Sequence, residues 1–268
     1  ECPKLLEICR ERGHEVTTFG KAGETIRLLG RRLRPSGQDL TIDAGGHVQE
    51  VSTTLVGGFQ AENLLAALGL VLATTDRPVG HVVTALGKVE GAPGRLQRIQ
   101  GSNEAISVFV DFAHTPDALA HVLGALRPHV EGKLMVVFGC GGDRDSGKRP
   151  EMGKIAVDGA DKVFITDDNP RSEDPAAIRR AILDAAPGAI EIDDRADAIH
   201  RAVRKLDVGD VLVVAGKGHE AGQIVGSEVL PFDDAAVARA ALAERIGAER
   251  TGAGRDPGNP GALKHGSE

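Results

Sequence analysis

The stretch ITDDNPRS, Ile165 to Ser172, places two carboxylates, an amide, a proline and a guanidinium directly behind the apolar run KVFI. An acceptor, a bifunctional amide and a fixed cation in that order can hold a ligand that carries charges of both signs. Taken alone, the same residues make an ordinary Asx/Pro turn leading into a helix N-cap. Two further stretches weigh against that reading. GKGHE, Gly216 to Glu220, follows the apolar run DVLVVA, and VFGCGGDRDSGKRPEMG follows KLMV. If all three runs are strands of one sheet, their ends deliver Arg144, Asn169 with Arg171, and Glu220 to one edge. Two guanidiniums and a carboxylate suit a zwitterion, since Arg pairs bidentately with a carboxylate and Glu with an ammonium. His219 reads as structural at such a turn, and Cys140 as a small buried hydrophobe.

Gly142 to Arg149, GDRDSGKR, matches the phosphate-loop spacing G-x-x-x-x-G-K up to its last position. There Arg149 replaces the Ser or Thr whose hydroxyl would ligate magnesium, so the segment is not read as a nucleotide loop. Its glycines, Gly139, Gly141 and Gly142, instead allow a sharp turn that exposes Arg144. VDFAHTPDAL sets Asp111 at a strand end before His114, with Thr115 as a helix cap and Pro116 in the first turn. Asn63, on an otherwise apolar helix, and Arg95, in a Gly/Pro-rich segment, carry no signal of their own.

The elements that must position these groups are legible from about residue 106. Short, almost continuously apolar strands alternate with amphipathic helices: ISVFVDFA, KLMVVFGC, KVFITDD, AIEIDD and DVLVVAG are the strands. That pattern predicts an α/β fold with a doubly wound, mostly parallel sheet and ligands beyond the carboxyl ends of its strands. The first hundred residues differ. HEVTTFG reads as one more parallel strand. TIRLLGRRLRP, QDLTIDAGG and HVQEVSTTLVG read as short antiparallel strands, followed by two helices. EGAPGRLQRIQGSNEA reads as the linker between halves.

Composition bounds the rest. Of 268 residues, 41% are hydrophobic, with no Trp or Tyr and seven Phe, so the cores must be aliphatic. No apolar run approaches the ~20 residues of a membrane helix. A net charge of -7 argues against sequence-independent nucleic-acid binding, which needs clustered Lys and Arg. Three cysteines (Cys2, Cys9 and Cys140) make no even disulfide framework and point to a reducing cytoplasm. The opening ECPKLLEICRERGHEV reads as the middle of something longer. The closing TGAGRDPGNPGALKHGSE reads as a disordered tail.

Together VDFAHTPDAL, VFGCGGDRDSGKRPEMG, TDDNPR and VLVVAGKGHE resemble the Mur ligases, in the family's order and with plausible spacing. The likeness runs from about Gly57 to Ile246 and is nearest to the branch that adds meso-diaminopimelate to UDP-MurNAc-L-Ala-D-Glu. Gln60 stands where the family has Asn, and Phe112 where it usually has Tyr. The resemblance implies a Rossmann-like C-terminal domain over residues 99–249, preceded over 1–98 by the remnant of a central ATPase-type domain, with a tail at 250–268. It implies a diaminopimelate site of Arg144, Asp168, Asn169, Pro170, Arg171, Gly216 and Glu220, and ATP contacts from Asn63, Arg95 and Asp111. The family's UDP-sugar domain, its true phosphate loop and its magnesium-side lysine have no counterpart in this sequence. No catalytic residue or metal ligand is therefore named; the Mg2+ ligands are expected upstream, and the isolated chain is expected to be inactive. Two functions stay open: part of an ATP-dependent amide-bond-forming ligase, and a stand-alone binding module or degenerate relative that holds an amino acid or nucleotide without turnover. A distant third is another ATP-dependent ligase of the superfamily, such as a folylpolyglutamate synthetase. DNPR with GKGHE speaks against the last.

Overall fold

A computed structural model describes residues 3–99, 101 and 106–251 of the chain. After helix α1 (Pro3–Glu11), strands β1 (Phe19–Gly20), β2 (Ile26–Arg34), β3 (Gly37–Ala44) and β4 (His47–Thr53) form a sheet in that order. β2, β3 and β4 pair antiparallel, as their alternating pattern predicts. HEVTTFG contributes only its last two residues as strand, parallel to β2. Helices α2 (Gly58–Thr74) and α3 (Val79–Leu86) cover this sheet through Leu64, Leu65, Leu68 and Val83, packed on Leu40 and Ile42.

The second sheet has six strands in the order β5 (Gln97–Arg98), β6 (Ile106–Asp111), β10 (Asp210–Ala215), β7 (Leu134–Phe138), β8 (Lys162–Ile165), β9 (Ile190–Glu191). All neighbours pair parallel except β5, which runs antiparallel to β6. The segment read as a linker thus supplies an edge strand. Residues of β6, β7 and β10 are buried throughout, the mark of a sheet covered on both faces. Phe109, Val136, Phe138 and Val213 face helices α4 (Pro116–Leu126), α5 (Lys148–Gly159) and α6 (Pro175–Leu183). Their alternates Val108, Val110, Val137 and Val214 face α7 (Arg195–Arg204) and α8 (Asp234–Thr251). Helix starts are set locally. Thr115, Asp174 and Asp194 each accept a backbone N–H as N-caps, and Pro116 and Pro175 occupy the first turn. A small antiparallel hairpin, β11 (Gly222–Val225) with β12 (Glu228–Pro231), follows β10 and was not anticipated. Beyond Thr251 the expected tail lies outside the described residues. Among the described residues no helix is long and apolar enough to cross a membrane.

One histidine joins the two sheets. His129, in the 3-10 turn Arg127–His129, accepts the N–H of Gly57 at Nε2 (3.1 Å) and donates from Nδ1 to the carbonyl of Arg34 (2.8 Å). Those partners require the neutral ring with the proton on Nδ1. Burial holds its pKa below the usual histidine value, although the Arg34 carbonyl favours the charged form. A depressed folded pKa gives stability that is present above the unfolded value of 6.5 and is lost as pH falls through the folded one. His129→Ala should therefore cost about 1–3 kcal/mol at pH 7.5, because it strands the buried Gly57 N–H and removes a hydrogen bond to the Arg34 carbonyl. The difference from the parent should narrow below pH 6.5, as compared by urea unfolding at pH 7.5 and 5.5.

Candidate functional site

Beyond the carboxyl ends of β6, β7, β8 and β10 lies a cavity of about 390 Å³. Six of the seven residues assigned to the diaminopimelate site line it: Arg144, Asp168, Asn169, Arg171, Gly216 and Glu220. Pro170 is buried behind them in the chain between Asn169 and Arg171. The loop after β6 adds Phe112, His114 and Thr115, the loop after β7 adds Cys140 and Asp145, and the start of α5 adds Lys148. Burial raises the Cys140 thiol to about 12, so it stays protonated and acts as packing against Met152.

The two aspartates of DDNPR have separate tasks. Asp167 points away from the cavity and pairs with Arg179, which also holds Glu191. Asp168 lines the cavity, 3.9 Å from the ammonium of Lys217, and its carbonyl accepts from Gln223 (2.8 Å). Asn169 is a hub. Its Oδ1 accepts from Lys217 Nζ (2.6 Å) and the Ile224 N–H (3.0 Å), while its Nδ2 donates to Glu220 Oε2 (3.1 Å). Arg171 sits at φ 51, a left-handed conformation uncommon outside glycine. Hairpin β11 holds it there: the Arg171 N–H donates to the Ile224 carbonyl (3.0 Å), and the Arg171 carbonyl accepts from Gly226 (2.7 Å). Its guanidinium donates to the Gly142 carbonyl (2.8 Å).

The loops after β7 and β8 approach backbone to backbone. A Cβ on Gly139 would collide with the Thr166 carbonyl, and one on Gly142 with the Pro170 carbonyl. That approach requires glycine at both positions. Arg149 is buried against the Glu173 carboxylate (2.9 Å), and Lys148 donates to the His114 carbonyl (2.6 Å). Arg144 is exposed at the rim, with one bond to the carbonyl of Asp143 (3.1 Å).

Beneath the cavity, Arg195 and Asp234 form an ion pair wholly excluded from solvent, with contacts of 2.7 and 2.8 Å. Two of the three remaining guanidinium N–H groups donate to the carbonyls of Ala215 (2.9 Å) and Asp167 (3.4 Å). One cation thus ties the end of β10 to the loop after β8.

Asn63, Arg95 and Asp111 do not line this cavity. Asp111 is buried and accepts the N–H groups of Leu96 (2.7 Å) and Ala113 (2.8 Å). Burial raises its pKa, partly offset by those amides and by Arg95. Arg95 is exposed, its guanidinium 4.7 Å over the ring of Phe112, which does line the cavity. Asn63 is exposed on α2, bonded to Gln60 (3.2 Å). Sequence reasoning missed Lys217 and Gln223. A lysine between two glycines looks like any solvated loop residue, and the hairpin carrying Gln223 is too short to leave a periodic signal.

The family described as Mur ligase, glutamate ligase domain, matches residues 94–218. The UDP-N-acetylmuramoyl-L-alanyl-D-glutamate--2,6-diaminopimelate ligase of Caulobacter vibrioides is 55% identical over 230 residues, which are 86% of this chain and 47% of that protein. The ligase of the same name from Bradyrhizobium diazoefficiens is 51% identical over 247 residues, 91% of this chain and 50% of that one. A solved structure under that name superposes with a TM-score of 0.74 at 35% identity, covering 90% of this chain and 51% of the other. A folylpolyglutamate synthase from Mycobacterium tuberculosis, 23% identical with a TM-score of 0.56 over 94% of this chain and 52% of its own, shares the fold. The chain spans about half the length of the curated relatives it matches.

Asp234→Ala should cost about 3–5 kcal/mol in urea unfolding, because it strands the buried guanidinium of Arg195. The paired change Arg195→Met with Asp234→Leu should recover most of that stability, since apolar groups of similar size replace a buried ion pair well.

Proposed function

We propose, since this chain belongs to the Mur ligase family, that it carries the amino-acid site of an ATP-dependent ligase that joins meso-diaminopimelate to UDP-MurNAc-L-Ala-D-Glu in the cytoplasm during peptidoglycan precursor synthesis. The observation behind this reading is the cavity, where Arg144 and Arg171 stand with Asp168 and Glu220 around one space. Meso-diaminopimelate carries an amino acid head at each end of a short chain. One end is held as a zwitterion: its carboxylate by Arg171, Arg144 and the free N–H of Asn169, its ammonium by Glu220, Asp168 and the Gly216 carbonyl. Those pairings are charge-assisted, and the Arg171 contact suits a bidentate fork. The other amine is then left to attack the activated D-glutamate carboxylate. Holding that amine in place is a proximity contribution, and it is the part of the reaction these residues supply.

The phosphoryl-transfer half is a different matter. Among the described residues no group of three or more His, Cys, Asp and Glu is placed to hold a metal ion. For ATP, the exposed heads of Arg95 and Asn63 suit a nucleotide. Asp111 contributes by fixing the Leu96 N–H and, through it, the backbone beside Arg95.

Calorimetry on the 268-residue chain tests this reading. It should bind meso-diaminopimelate and discriminate strongly against L-lysine, which lacks the second carboxylate; a site left with unpaired polar groups can reject such an analogue by ~10⁴–10⁵. Arg171→Ala should weaken meso-diaminopimelate binding by about 2–5 kcal/mol. Equal affinity for both amino acids, or no effect of Arg171→Ala, would assign the cavity to another ligand. The isolated chain should neither hydrolyse ATP nor form the tripeptide product, as a coupled phosphate-release assay would read.

A further inference from the structure

Lys217 is the one fully buried lysine among the described residues, with 0% of its surface exposed, and it does not line the cavity. A cation taken out of water is costly unless it is paired and hydrogen-bonded. Its ammonium donates to Asn169 Oδ1 (2.6 Å) and to the Gly222 carbonyl (3.0 Å), with Asp168 Oδ1 at 3.9 Å and the Phe232 ring at 6.0 Å. Burial lowers its pKa, while Asp168 favours the charged form. No ligand is needed to complete this arrangement.

The consequence falls on Asn169. An amide oxygen has two lone pairs, and both are taken here, by Lys217 and by the Ile224 N–H. Flipping the amide would set its NH2 against an ammonium and a backbone N–H, donor against donor. The amide is therefore locked. One of its N–H groups goes to Glu220 Oε2 (3.1 Å), and the other is left for the cavity.

We propose that Lys217 is a positioning residue that sets the polarity of the amino-acid site: it makes Asn169 a donor toward the ligand carboxylate and holds Glu220 in place for the ligand ammonium. Lys217 touches no ligand and acts through Asn169. The assignment rests on the site reading above for the identity of the ligand, but the orientation of the amide does not depend on it.

The test is meso-diaminopimelate binding by the 268-residue chain and its variants, with the Asn169 side-chain amide followed by NMR in the unliganded chain. Lys217→Met should weaken binding by about 10- to 100-fold, the loss expected when a buried acceptor loses its partner and the amide is freed to turn. Lys217→Gln, which keeps a donor for Oδ1 without the charge, should recover part of that loss, and it serves in place of Lys217→Met if the latter does not fold. In an Asn169→Ala background Lys217→Met should weaken binding less than about threefold further, because the two act as one unit. The Asn169 NH2 resonances should shift in Lys217→Met before any ligand is added. The proposal is overturned if Lys217→Met binds as the parent does, if its effect persists undiminished without Asn169, or if those resonances do not move. A parent chain that binds no meso-diaminopimelate would instead overturn the reading of the ligand, and the resonances would still decide the orientation of the amide.

Discussion

The Arg195 guanidinium holds the site together. It lies at the start of α7, fully enclosed, with its charge met by Asp234 from the start of α8 and two further N–H groups given to the carbonyls of Ala215 and Asp167. β10 and β8 are not neighbours, since β7 runs between them. A bond across that gap fixes the relative height of two strand ends that carry Gly216 on one side and Asp168 on the other. Coulomb attraction alone scarcely offsets the desolvation of such a pair. The two backbone carbonyls take two more of the guanidinium's donors, and they make the pair an element of site geometry as well as of the core.

Charges around the cavity divide into those already satisfied within the chain and those left open. Asp167 is taken by Arg179, and Arg149 by Glu173. Their sequence neighbours Asp168 and Lys148 face the cavity. Adjacent residues of one type thus do opposite work, and only the register of each loop decides which faces inward. That register is set by the glycine contacts between the β7 and β8 loops and by the hairpin bonds to Arg171. The left-handed φ of Arg171 is held by the hairpin from outside the motif.

The second half of the chain was legible because strands buried on both faces must be apolar throughout, and helices between them must not be. Cavity-lining groups were legible where they followed those strands directly, as Asn169, Arg171 and Glu220 do. What escaped was chemistry that depends on a partner distant in sequence. Lys217 is buried only because Asn169, Gly222 and Asp168 surround it, and nothing in GKG signals that. The edge strand β5 has two residues and pairs with one neighbour, too little to outweigh its glycine- and proline-rich surroundings. In HEVTTFG, apolar and polar residues alternate over too short a span to tell a strand from an extended approach to one.

The strand order has a consequence for how the chain is made. β10 lies between β6 and β7, yet it leaves the ribosome about a hundred residues after β6. Until Asp210–Ala215 appears, β6 and β7 have no strand between them, and two largely apolar segments wait with unpaired edges. Pairings of such long separation are slow to form, and exposed apolar edges are the surfaces on which nascent chains associate wrongly. Helices α4, α5 and α6 can settle on one face of β7 and β8 early, giving a half-covered intermediate. The central strand then acts as the closing piece, and α8 follows it to seal the opposite face. A nascent chain of this architecture is at greatest risk of aggregation just before its central strand is complete.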